Sequence, residues 1–315
     1  MPIPLLVVID TSDPQLDGKL KAAGFAPTYA LAPSARAKAI AAGGETIRAV
    51  LTHGSSGFTA AEMAQLPKLE IICCLGAGHE NIDHAAARER GIIMTHGPGT
   101  NDTTVADHAM ALILSIVRDV AALDATVKTT GWPKDRITRP MVTGKRLGIL
   151  GLGTIGKQIG KRGAGGFDMD IGYCNRRPVE GSTYSYFATP VELADWADIL
   201  VVAAPGGAAT RHLVDRDVLK ALGPQGYLVN IARGSIVDTE ALIEALRDGI
   251  IAGAGLDVVD GEPVVPAGLL AQPTLTITPH TAGRSPESVN AMVGLVIRNL
   301  SAHFAGEPVI TPVRH

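Results

Sequence analysis

The sequence predicts an α/β protein of two doubly wound parallel-sheet domains, one inserted into the other. Three observations carry that expectation. Short apolar runs alternate with Ala-rich helical stretches along nearly the whole chain, the pattern of parallel strands covered by crossover helices. A strand-turn-helix signal rich in glycine, Gly151-Leu152-Gly153-Thr154-Ile155-Gly156, opens near the middle of the chain and not at its start. Long helical segments flank that central part, so the chain leaves a first domain and returns to it. The division expected is 1–98 with 284–315 for one domain, and 99–283 for the other.

Taken in order, apolar runs at 5–9, 49–52, 69–75 and 92–95 read as strands, with helical stretches at 15–23, 35–42, 59–65 and 83–89. Pro98-Gly99 ends that pattern. Asn101 or Asp102 can cap one long helix through 105–128. The run 147–150 leads straight into the glycine turn, and 171–174 reads as the next strand. Later strands are expected at 199–203, 227–231, 251–256 and 275–278. Ser285-Pro286-Glu287 places a cap, a first-turn proline and an acidic residue in the favoured order, opening a last helix that ends near Phe304.

The chain has 315 residues, 46% hydrophobic and 19% charged, enough for two cores in an ordinary globular protein. A net charge of −3 gives no electrostatic case for nucleic acid or an anionic membrane. The opening MPIPLLVVID has no basic stretch and reads as a first strand. No run approaches the roughly 18 apolar residues of a membrane span. Cys73, Cys74 and Cys174 lie in apolar runs and read as buried thiols. A cytoplasmic location is expected.

The glycine turn has a chemical reading. Gly151 permits the turn, Gly153 lets amides approach a pyrophosphate, and Gly156 lets helix pack on strand. The phosphates would sit at the helix N-terminus, where unpaired amides and the dipole favour anions. This is the Rossmann dinucleotide signal. About 20 residues further on, where NAD enzymes carry an acidic ribose reader, the chain has Asn175-Arg176-Arg177. Asn175 removes the carboxylate that would repel a 2′-phosphate, and guanidinium forks suit phosphate. The expected cofactor is NADP, preferred over NAD.

Three more motifs end strands: Asn230-Ile231-Ala232-Arg233-Gly234, Gly255-Leu256-Asp257 with Glu262-Pro263, and Thr278-Pro279-His280-Thr281-Ala282-Gly283. An arginine after a buried strand needs an anionic partner, and a substrate carboxylate would serve. A histidine beside a carboxylate exchanges protons near neutral pH, as carbonyl reduction by hydride requires. Singly, each residue also fits a structural role. Downstream of a dinucleotide signal, the set reads as catalytic.

The segments LPKLEIICCLGAGHENID, GLGTIG, VNIARGSIVDTEALIEAL, GAGLDVVDGEP, TPHTAG and NLSAHFAGEPVITPV span essentially the whole chain. They resemble the D-isomer-specific 2-hydroxyacid dehydrogenases, and within them the glyoxylate/hydroxypyruvate and hydroxyphenylpyruvate reductases. The resemblance implies that Arg233 binds the substrate carboxylate and carbonyl, that His280 is the general acid/base, and that Glu262 hydrogen-bonds His280 and raises its pKa. It implies substrate contact from the backbone of Leu75, Gly76, Ala77 and Gly78. Along the cofactor it implies Gly151, Gly153, Thr154, Ile155, Gly156, Asn175, Arg176, Arg177, Pro205, Thr210, Ile231, Ala232, Asp257 and Gly283. A homodimer is also implied, since relatives use the segment around Trp132 in dimer contacts.

Some features depart from the family or stay open. Asp107 stands where many members have Glu. Gly163-Ala164-Gly165-Gly166 weakens a helix end by about 1 kcal/mol per interior glycine. Pro205-Gly206-Gly207 replaces a Pro-Leu-Thr-like segment. His53 either lines the substrate pocket or sits in a solvent turn, and Trp132 either joins the pocket or the dimer core. His79-Glu80-x-x-Asp83-His84 lacks a third ligand at metal spacing, so no metal is expected. The activity implied is NADPH-linked reduction of glyoxylate, hydroxypyruvate, hydroxyphenylpyruvate or a related 2-ketoacid. A rival of another class is a dinucleotide-sensing binding protein, like the corepressors of this fold.

Overall fold

Apolar strands and their crossover helices build two parallel sheets in a computed structural model that describes residues 1–134 and 136–313. The chain divides into two units, Met1–Asn101 with Arg284–His315, and Asp102–Gly283.

In the first unit, β1 (Ile3–Val7), α1 (Leu16–Ala22), β2 (Phe25–Tyr29), α2 (Pro33–Gly43), β3 (Ala49–His53), α3 (Ala60–Ala64), β4 (Ile71–Leu75), α4 (His84–Glu89) and β5 (Ile93–Thr95) alternate. The strands are parallel in the order β2-β1-β3-β4-β5. Leu6, Val50, Leu51, Ile71 and Ile72 are fully buried, as expected for strands covered on both faces. The final helix, Pro286–Phe304, adds Val293, Val296 and Leu300 to that core. Ser285 caps it by accepting from the Ser288 amide, with Pro286 in the first turn. Beyond it, Pro312 bridges Thr95 antiparallel, and the Val313 amide donates to Met94 O at 2.8 Å. The segment after the final helix therefore lies along β5.

The second unit contains α5 (Asp102–Arg118), α6 (Val120–Thr130), β6 (Arg146–Leu150), α7 (Thr154–Phe167), β7 (Asp170–Cys174), β8 (Ser185–Phe187), α8 (Pro190–Trp196), β9 (Ile199–Val202), α9 (Arg216–Leu222), β10 (Tyr227–Asn230), α10 (Thr239–Arg247), β11 (Gly253–Leu256), α11 (Ala267–Leu270) and β12 (Leu275–Ile277). The sheet order is β12-β11-β10-β9-β6-β7-β8. Strands accumulate outward from β6 in one direction and from β9 in the other. The winding therefore reverses between β6 and β9, and such reversals open a crevice beyond the strand ends. Separate apolar cores cover the two faces of this sheet.

Four local features differ from the sequence expectation. The helix expected through 105–128 is two helices, broken at Asp119 with φ +58°. Asp tolerates that left-handed backbone, and its Oδ2 accepts from Arg139 Nη2 at 2.6 Å and Nε at 3.1 Å. The first strand begins two residues early, with Val8 and Ile9 still buried beyond it. Strands β2 and β8 were not expected; both are edge strands. Asn101 does not cap α5, since its Oδ1 is buried without a hydrogen-bond partner among the described residues. No helix among those residues is long and apolar enough to cross a membrane.

Candidate active site

The glycine turn sits at the winding reversal of the second sheet. Gly151 has φ +104°, and a Cβ there would lie 2.6 Å from the Ala204 amide nitrogen, across the gap between β6 and β9. A Cβ on Gly156 would overlap the Gly151 carbonyl, so α7 can start against the turn only without one. Gly153 precedes α7 with no side-chain cap and open space around it. The first amides of α7 are thus left for an external anion. Asn175, ending beyond β7, accepts from the Leu152 amide at 2.7 Å through Oδ1 and so braces the turn. Arg176 and Arg177 are exposed beside it. An open cradle of amides that a Cβ would fill fits the pyrophosphate of a dinucleotide.

Arg233 follows β10 in a turn closed by Asn230. Asn230 is 1% exposed; its Oδ1 accepts from the Ala232 amide at 3.0 Å and its Nδ2 donates to Arg233 O at 2.9 Å. The Arg233 stem lies against Gly206, where a Cβ would come 2.7 Å from Arg233 Cγ. Nearby, Thr210 Oγ1 donates to Pro205 O at 2.8 Å. Ile231 and Ala232 are nearly buried.

Glu262 and His280 form a close pair, Oε2 to Nδ1 2.7 Å. Glu262 Oε1 also accepts from the Val259 amide at 3.1 Å. Burial pushes the Glu262 carboxyl up, but the His280 hydrogen bond and charge, the Val259 amide and the Arg233 charge outweigh it and hold the group below its usual range. With Nδ1 bound to a carboxylate, Nε2 is the ring nitrogen left to exchange a proton. His280 itself has φ +53°, a strained backbone that its surroundings must impose. Asp257 imposes it. Its backbone O accepts from the His280 amide at 2.8 Å, Oδ1 accepts from Thr278 Oγ1 at 2.6 Å and the Thr281 amide at 2.9 Å, and Oδ2 accepts from the Ala282 amide at 2.9 Å. His108 Nε2 stands 2.9 Å from Thr278 Oγ1. Gly283 is the last residue of this unit.

Asn230, Thr278 and His108 are functional neighbours that the sequence does not single out. A polar residue closing a buried apolar strand was the available signal for Asn230. Nothing local marks the His108–Thr278 pair, whose members are 170 residues apart. Trp132 is 78% exposed, and the contacts that gather Arg233, Glu262 and His280 do not include it.

In the first unit, the 75–78 loop follows β4, with Gly76 at φ +82°. The amides of Gly76, Ala77, Gly78 and His79 find no acceptor among the described residues. His53 ends β3, next to β4, and its Nδ1 accepts from the Ser56 amide at 3.0 Å, which places the ring proton on Nε2. His79 Nδ1 lies 3.1 Å from His84 Nε2. Burial first, then the charges of His96 and His84, lower the His79 pKa. Among the described residues no group of three or more His, Cys, Asp or Glu is arranged to hold a metal ion.

The family model for the D-isomer specific 2-hydroxyacid dehydrogenase NAD-binding domain matches residues 110–282. The chain is 40% identical over 270 residues to a hydroxyphenylpyruvate reductase of Plectranthus scutellarioides, covering 85% of this chain and 86% of that protein. It is 41% identical over 269 residues to a glyoxylate/hydroxypyruvate reductase of Arabidopsis thaliana, with the same coverage. The structure of an NADPH-dependent glyoxylate/hydroxypyruvate reductase from Sinorhizobium meliloti, in complex with NADP and malonate, superposes with TM-score 0.91 at 34% identity, covering 99% of this chain and 97% of that one. With its dinucleotide cradle and its carboxylate-bound histidine, the chain belongs to the D-isomer-specific 2-hydroxyacid dehydrogenases, oxidoreductases that bind a nicotinamide dinucleotide.

Proposed function

We propose that the protein is an NADPH-preferring 2-ketoacid reductase acting on glyoxylate, hydroxypyruvate, hydroxyphenylpyruvate or a related small 2-ketoacid. The observation that carries this reading is the 2.7 Å His280–Glu262 pair, with the Arg233 charge felt at Glu262. The guanidinium fork of Arg233 binds the substrate carboxylate, with a donor left to polarise the keto oxygen. The cofactor supplies the hydride. His280 gives its Nε2 proton to the oxygen as it becomes an alkoxide, while Glu262 stabilises the charged ring beforehand. Asp257 holds the His280 segment in its strained conformation throughout.

Gly151, Gly153, Thr154, Ile155 and Gly156 would hold the phosphates. Asn175, Arg176 and Arg177 would read the ribose, where two cations without a carboxylate favour a 2′-phosphate. Pro205, Thr210, Ile231, Ala232, Asp257 and Gly283 would line the rest. The amides of Gly76, Ala77 and Gly78 and the backbone of Leu75 are assigned to the substrate carboxylate as further contacts, and His53 to the substrate's variable end. Supporting this reading, relatives near 40% identity carry these activities in their names, and the Sinorhizobium meliloti structure holds NADP and malonate.

A second copy of the chain is the occupant proposed for α6. No residue of that helix is buried, and Val120, Leu123, Val127 and Trp132 are exposed. Trp132 is thereby assigned to the dimer surface. Light scattering of the purified protein should give a dimer mass.

A steady-state panel of glyoxylate, hydroxypyruvate and hydroxyphenylpyruvate with NADPH tests the reading. Turnover of at least one is expected. Cofactor binding with no turnover of any 2-ketoacid would favour the sensing protein instead.

A further inference from the structure

Three consecutive carbonyls of the loop after β4 are bound on the protein side. Gly76 O accepts from the Gly97 amide at 2.6 Å, Ala77 O from His96 Nδ1 at 3.1 Å, and Gly78 O from Cys74 Sγ at 2.8 Å. The geometry follows from the sheet: β4 and β5 are parallel neighbours, so the segments that leave their C-terminal ends run side by side. Gly97 makes the approach possible, since a Cβ there would lie 3.1 Å from Gly76 N and 3.2 Å from Gly76 Cα. In a trans peptide the C=O and the following N–H point oppositely. Tying down the carbonyls of Gly76, Ala77 and Gly78 therefore turns the amides of Ala77, Gly78 and His79 away from those donors. Those amides have no acceptor among the described residues. Successive amides facing one way make an anion site.

We infer that His96 is a positioning residue for the substrate carboxylate, its Nδ1–H holding the Ala77 carbonyl so that the loop amides face the anion. The inference rests on the reading of this loop as a carboxylate site. A carbonyl only accepts, so Nδ1 carries the proton. The ring is aimed from behind. The His96 amide donates to Thr311 O at 3.2 Å, and Thr311 Oγ1 donates to His96 O at 2.6 Å. Thr311 is fixed in turn by Asn299, a residue of the final helix that is 1% exposed: Asn299 Nδ2 donates to Thr311 Oγ1 at 2.9 Å and Oδ1 accepts from the Thr311 amide at 3.1 Å. The His79 ring packs edge-on against His96 at 5.1 Å. The segment after the final helix thus reaches the substrate loop through one imidazole.

The test compares His96→Ala with His96→Asn, whose amide nitrogen can stand where Nδ1 does. Contacts to the carboxylate are made equally before and during reaction, so their loss raises KM and leaves kcat nearly unchanged. His96→Ala should raise the KM for hydroxypyruvate about tenfold, with kcat within threefold and NADPH affinity unchanged; His96→Asn should return KM to within threefold of the parent. Oxalate affinity of the cofactor-saturated protein, measured by calorimetry, should follow the same order, and it reads the loop even if no 2-ketoacid turns over. A parent that binds oxalate in this way but reduces no 2-ketoacid would support the loop and overturn the reductase reading alone. His96→Ala constants within twofold of the parent, or an Asn variant as impaired as the Ala variant, would overturn the role of His96.

Discussion

Glu262 and His280 are joined at Nδ1, and reduction needs a proton delivered from that ring. Glu262→Gln keeps the side chain's shape but removes the carboxylate that orients the ring, so kcat for reduction should fall by about tenfold or more with KM little changed. A kcat within twofold of the parent's would show that the pair does not act together. Arg233→Lys keeps charge but loses the fork. Its KM should rise and its kcat fall, each by about tenfold, because the carboxylate contact weakens in the ground and transition states alike while the donor to the forming alkoxide is lost from the transition state alone; constants within twofold would make the arginine structural. The sequence named Arg233, Glu262 and His280 because each is a reactive residue just past an apolar run. It gave no hint that Asp257 spends both oxygens on the His280 segment, because its partners lie 21 to 25 residues away. Such a network becomes visible only when β11 and β12 lie side by side.

At the scale of elements, periodicity found the buried strands, whose apolar runs have no other reading. It missed β2 and β8 for physical reasons. Both are edge strands, β2 is Phe-Ala-Pro-Thr-Tyr with a proline that cannot donate to a ladder, and β8 spans three residues. The break between α5 and α6 was also hidden, because it depends on Arg139, 20 residues from Asp119. The glycine-rich stretch stays helical to Phe167, and its glycines are not equivalent. A Cβ on Gly163 would lie 2.9 Å from Leu147 Cδ2, while Gly165 and Gly166 have nothing within 4 Å. Gly165→Ala and Gly166→Ala should each stabilise by about 0.5–1 kcal/mol, and Gly163→Ala should destabilise. Thermal melts of the three variants check this; a melting point lowered by all three would contradict the open space at 165 and 166.

For the whole molecule, the charged network sets the response to acid. In Asp13, Glu70 and Asp198 burial pushes each carboxyl up, but Lys19 with the Gln15 amide, Arg48 with His303, and Arg146 with Lys145 respectively outweigh it and hold the group below its ordinary range; Glu262 behaves likewise beside His280. A carboxyl lowered on folding gives stability that is present above its unfolded value and lost as pH falls through its folded one. His79, lowered from 6.5 mainly by burial, has the same sign, since the unfolded chain takes up its proton first. The melting temperature should begin to fall below about pH 6.5 and fall steeply below about pH 4.5; a rise between pH 6 and 4 would contradict this. The proposed chemistry is tested by the kcat/KM for hydroxypyruvate reduction with NADPH and with NADH on the same preparation. Reduction with NADPH should be favoured at least about tenfold, a difference of about 1.4 kcal/mol, and most of that preference should be lost when Arg176 and Arg177 are replaced by Ala. Equal efficiency with the two cofactors in the parent protein, or no reduction with either, would contradict it.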